Sequence, residues 1–212
     1  MTIDIENLLD SIMESMDRVS FIKTDELPNI DLYMDQVTTF MDRKLSDTTR
    51  NKGKDKVLTK TMINNYAKNN LLPPPVKKKY SKEHILVLVF IYYFKNILSI
   101  SDIQMLLNPL TDRFFENEEA PLSFEDIYAE VTSMADTQID IIKKDIKDKY
   151  KKSTNNFKSA SKQDQEFLQL FSFICMLSFD VYTKKLLIEK LLDEFKRKQD
   201  ERNGVTPGKK KK

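Results

Sequence analysis

Residues 58–81 read LTKTMINNYAKNNLLPPPVKKKYS. Ile63, Tyr66, Ala67 and Leu71 recur at helical spacing on one side, and Thr59 stands where a new helix needs a side-chain acceptor for its free backbone donors. Prolines 73–75 end that helix, since each lacks a backbone N–H and restricts the residue before it. Ser81 then caps a run, HILVLVFIYYF, that is apolar nearly all round and belongs at the centre of a core. Two helices joined by a proline turn and three lysines set the fold class, all-α in the form of a helical bundle.

Working outward, the same periodicity returns. Only 3 Gly and 7 Pro occur in 212 residues, and no stretch alternates apolar and polar side chains convincingly. Ile5, Leu8, Leu9, Ile12 and Met16 predict an amphipathic first helix ending near Val19. Asn29, after Pro28, is placed to cap a second helix with the stripe Ile30, Tyr33, Met34, Val37, Phe40 and Met41. The polar segment SDTTRNKGKDK reads as a loop. Ser99 with Asp102 makes a capping-box variant before IQMLL, and Pro109 closes that short helix. Ser123 and Asp126 repeat the pattern ahead of a long helix to about Tyr150, carrying Ile127, Val131, Met134, Ile141 and Ile142. KKSTNNFKSASKQ reads as a loop, residues 167 to about 198 as one or two further helices, and NGVTPGKKKK as a disordered tail.

Several function classes drop out on composition. There is no phosphate-cradling glycine loop, no nucleophile beside a base and no ligand-spaced Cys or His cluster, so neither enzyme chemistry nor a metal or other cofactor is expected. His84 stands alone and is read as structural; Cys175, amid Phe171, Phe173, Ile174 and Met176, is read as a buried small hydrophobe. With one cysteine and no basic-then-apolar start, a reducing cytoplasm is the expected location. The longest uncharged run, residues 167–179, falls short of the ~18 apolar residues of a membrane span, so no membrane partner is expected.

Charge is more telling in its distribution than in its total. The chain carries only +2 overall, yet residues 51–95 hold 10 lysines against Asp55 and Glu83, a net of +8. An acidic polymer is attracted to such a block. With Ile63, Tyr66 and Leu71 inward, Lys60, Asn64 and Lys68 form an outward i, i+4 stripe with Thr61 and Asn65 beside it. Asn can bond both N6 and N7 of adenine, while Lys and Thr bond phosphate or base edges. Lys77, Lys78 and Lys79 would grip phosphate. Double-stranded DNA is the expected partner.

Leu58-Thr59, Met62-Ile63, Tyr66, Leu71-Leu72-Pro73, Lys79-Tyr80-Ser81 and residues 99–103 together resemble the winged helix-turn-helix of MerR-type regulators. Residues 31–37 with 58–75 also resemble a bacterial family of unknown function grouped with those regulators. The resemblance implies a dimeric transcription regulator whose recognition helix, about residues 60–72, enters the major groove beside a short basic wing. It implies N-terminal helices and the DNA-binding module over 1–110, a helical dimerisation or sensing part over 111–200 and a Lys-rich tail over 201–212, and leaves any effector unspecified. Asn64 and Asn65 replace the usual arginine and aromatic, and Asn70 the usual glycine, a position where Asn can still adopt the left-handed conformation. The alternative is a helical protein–protein adaptor that keeps the helix-turn-helix as scaffold without binding DNA.

Overall fold

The computed structural model describes residues 5–16, 21–202 and 204. Among the described residues seven α-helices appear in chain order: α1 (Ile5–Met16), α2 (Met34–Leu45), α3 (Lys60–Lys68), α4 (Lys82–Phe94), α5 (Ile100–Phe114), α6 (Phe124–Thr154) and α7 (Lys162–Arg202). Two two-residue strands, β1 (Leu32–Tyr33) and β2 (Lys79–Tyr80), pair antiparallel with Leu32 opposite Tyr80 and Tyr33 opposite Lys79. The chain is all-α in class. Among the described residues no helix is long and apolar enough to cross a membrane.

Packing divides the chain into two compact units, one joining α1 to residues 129–184 and the other holding residues 24–128 with 185 onward. Phe124 and Tyr128 at the start of α6 set their rings edge-on to Phe90, 6.4 and 5.4 Å between centroids, which holds the first turn of α6 in the larger unit.

In the larger unit α4 is the axis of the core. Every residue from His84 to Tyr92 is buried, so the helix needs neighbours on all sides. Val37, Phe40, Met41 and Leu45 of α2, Ile63 and Tyr66 of α3, and Ile103 and Leu107 of α5 supply the rest of that core. The loop before α3 is tied down at Val57, whose N–H donates to Asp42 Oδ1 at 3.1 Å and whose carbonyl accepts from Lys95 Nζ at 2.6 Å. In the smaller unit, Leu9 and Met13 of α1 bury against Phe173, with Ile146, Tyr150, Met176 and Leu177 packed around them. Lys149 bridges Asp145 and Asp180 there.

Some sequence expectations are corrected. Asn29 does not cap α2: the chain runs extended through β1, which buries Leu32 and leaves Ile30 and Tyr33 exposed, and the helix starts only at Met34. Pro109 lies inside α5 rather than closing it. A proline removes one i→i−4 bond, about 3 kcal/mol, and the buried Ile103 and Leu107, the Ser99–Asp102 cap and the bond from Thr111 Oγ1 to the Leu107 carbonyl hold the helix across it. On α6, Val131, Met134, Ile141 and Ile142 are exposed, because Phe124, Tyr128, Ile146 and Tyr150 take the inward positions. The loop expected over 151–163 shrinks to the few residues between α6 and α7, and α7 is one unbroken helix. Cys175 is half-buried rather than buried, since it sits at the edge of the seam centred on Phe173. The end of the first helix near Val19 and nearly all of the tail lie outside the described residues.

Candidate nucleic-acid interface

The candidate face starts with α3. Thr59 Oγ1 accepts from the Met62 N–H at 3.2 Å, satisfying a donor of the first turn. Ile63 and Tyr66 turn inward, and Lys60, Thr61, Asn64, Asn65 and Lys68 are all exposed, on an arc of about 140° around the helix. The stop is made by Asn70 and not by the prolines. Asn70 adopts φ 54°, its N–H donates to the Ala67 carbonyl at 3.2 Å, and the Leu71 N–H donates to the Tyr66 carbonyl at 2.9 Å. These two bonds with a left-handed residue form a Schellman motif, so the helix covers 60–68 and not 60–72. Leu71 and Leu72 then turn into the core.

Prolines 73–75 lead instead into a hairpin. The Lys79 N–H donates to the Val76 carbonyl at 2.9 Å, closing a two-residue turn over Lys77 and Lys78 with φ 49° and 65°. Two positive φ values mark a type I′ turn, which favours Asn-Gly; an ordinary side chain costs about 1–2 kcal/mol at each such position. Lysine stands at both. Lys77 and Lys78 are exposed at the tip, while Lys79 is half-buried with Nζ 5.4 Å from the Tyr33 ring centroid.

The hairpin is anchored by His84. Its Nδ1 accepts from the Ser81 N–H at 3.0 Å, which puts the proton on Nε2, 3.4 Å from the Pro74 carbonyl. Its ring meets those of Tyr80 and Phe115 edge-on at 5.5 and 4.8 Å. Burial holds this imidazole below its usual range, with the Pro74 bond and the charges of Glu116 and Asp31 pulling the other way.

The two parts of the face meet at the β1–α2 corner. Lys60 pairs with Asp35, two residues beyond the Tyr33 that lies against Lys79. Among the described residues, Lys68, Lys77 and Lys78 have no carboxylate partner. The arrangement offers lysines to phosphate and two exposed amides to base edges. Sequence reasoning missed Tyr33 and Asp35 at this face, because a two-residue strand leaves no periodicity to read. The role of His84 was half visible in its spacing from Ser81, where a capping box would carry Glu or Gln.

Residues 22–131 match the profile of a domain of unknown function, DUF1836, over half of the chain. The chain belongs to the DUF1836 family. No curated protein and no solved structure matches it. The DUF1836 region takes in α2 to α5, the hairpin and every candidate residue from Lys60 to Lys79.

Proposed function

We propose that this chain binds double-stranded DNA as a regulator of transcription, with α3 in the major groove and the Lys77–Lys78 turn on the phosphate backbone. The hairpin carries the reading: two lysines occupy left-handed positions that Asn and Gly fill at less cost, a strain that their charge at an exposed tip accounts for. The nine residues of α3 are about 13 Å long, comparable with the ~12 Å width of the major groove. The resemblance to the winged helix-turn-helix of MerR-type regulators supports the same assignment of helix and wing. Asn64 and Asn65 would contact bases, with Lys60, Thr61, Lys68 and Lys79 holding register on the backbone.

The test is a gel-shift with duplex fragments at two salt concentrations. Affinity should fall steeply with salt as condensed counterions are released. No binding at low salt, or a flat salt dependence, overturns the reading. That result would favour the adaptor alternative, which has its own support in a groove of about 450 Å³ beside α2, where Pro28, exposed Ile30 and Phe40 form apolar walls.

A further inference from the structure

The groove beside α2 has a chemistry of its own. Its apolar walls are Pro28, Ile30, Leu32 and Phe40, with Ile30 70% exposed at the rim and Leu32 and Phe40 buried beneath it. A volume of about 450 Å³ falls within the ~300–1,000 Å³ of small-molecule sites. A protein partner would have to spread well beyond the groove, since a specific interface takes about 800 Å² on each side.

The polar groups of the lining decide what it can hold. Its acceptors on α2 are already engaged: the Asp35 carboxylate pairs with Lys60, and Gln36 Oε1 accepts from the Tyr33 N–H at 2.9 Å. Donors are left over. Arg43 is exposed, with its guanidinium 6.0 Å from the centroid of the Phe40 ring. Among the described residues neither that guanidinium nor the Gln36 amide nitrogen has an acceptor. One charge of the groove is therefore neutralised and the other is not, and the unmatched one is positive.

We propose that this groove binds a small carboxylic acid with an apolar body, its carboxylate in the fork of Arg43 and its body against Pro28, Ile30 and Leu32. A guanidinium lying over an aromatic ring keeps its N–H edge for an in-plane carboxylate, which meets it with two parallel hydrogen bonds. Gln36 offers a further donor to an oxygen elsewhere on the ligand. Asp35 does not repel the anion. Lys60 neutralises it, and it stands about 12 Å back along α2, beyond the ~8 Å screening length of physiological salt. The inference does not depend on DNA binding, because none of the groups that hold the acid belongs to α3 or to the hairpin tip.

Phenylpropionate, phenylpropionamide and phenylpropylamine share one apolar body and differ only in the charge of the head group. Each is titrated into the full chain and followed by amide NMR. The acid is expected to shift the Ile30, Leu32 and Gln36 amides and the Arg43 side-chain N–H saturably, with a Kd on the order of 1 mM for a ligand of this size. It should bind about tenfold tighter than the amide or the amine. Arg43→Gln should bring the acid down to the level of the amide, while Arg43→Lys, which keeps the charge and loses the fork, should recover only part. Ile30→Ser should weaken acid and amide alike, by about threefold. Both side chains are exposed and neither belongs to an ion pair among the described residues, so the variants keep the fold. No saturable shift at these residues, an amine that binds as tightly as the acid, or an acid indifferent to Arg43→Gln overturns the proposal. Tighter binding of a short peptide ending in phenylalanine overturns it too, by giving the groove to a protein segment.

Discussion

The α3–hairpin face and the outer face of α7 are both exposed, and they are opposites in chemistry. One presents lysines and amides on short, pinned elements: α3 closed at each end by a cap, the hairpin bolted to α4 through His84. The other presents aromatic and aliphatic side chains along a 41-residue helix held only on its inner side. Binding to the first should weaken with salt, whereas apolar burial at the second should not. The difference teaches that exposure alone says little about a surface; what is exposed, and what holds it in place, says which partner it suits.

The largest effect should come from the support beneath the polar face. Leu88→Ala, at a position with no exposure in α4, should cost about 2–5 kcal/mol in urea unfolding, while Leu187→Ala on exposed α7 should stay within about 0.5 kcal/mol. Equal costs would break the distinction between a face that rests on a full core and one that does not.

Asn64→Ala sharpens the comparison within the polar face. An amide paired to adenine is worth about 1–3 kcal/mol of discrimination, so sites selected from random duplexes should lose preference at one or two positions while nonspecific affinity is kept. Unchanged base preference would leave the face a phosphate-binding surface that does not read sequence.

Acidification should act on the polar face through its anchor. Because the folded His84 sits below its ordinary value of 6.5, the unfolded chain takes up a proton first as pH falls through that range, and stability present above it is lost. Melting curves between pH 7.5 and 5.5 should show this loss, and His84→Gln should make it shallower. An equally steep loss in the variant would remove His84 as its source.

The smallest expected effect is at Asp35. Asp35→Asn frees Lys60 from its ion pair and should raise DNA affinity by about two- to fivefold, the scale of an exposed pair. Lower affinity would mean that Asp35 positions Lys60 rather than competing for it.

Much of this architecture was legible in the chain. Thr59, Ser99 and Ser123 begin helices because their short hydroxyl side chains accept from free backbone donors, Ser81 begins one with its own N–H donating to the His84 ring, and α4 is central because it has no polar side to give to water. The five polar residues of α3 share a face because 3.6-residue periodicity leaves no other arrangement once Ile63 and Tyr66 are inside. What could not be read were pairings of distant segments: β1 with β2, Asp35 with Lys60, Pro74 with His84. The exposed stripe of α7 was illegible for a related reason. A run as apolar as FLQLFSFICMLSF has no polar side to tell which of its faces is covered.

The hairpin turn tests the DNA reading most directly, because the double change Lys77→Asn/Lys78→Gly installs the residues its backbone prefers and removes both tip charges at once. The variant should be more stable to urea by about 1–2 kcal/mol and bind duplex DNA more weakly, with the slope of log affinity against log salt shallower by about 2. A gain in stability with affinity and salt slope unchanged would contradict the account, leaving two strained lysines at the tip with no phosphate to hold.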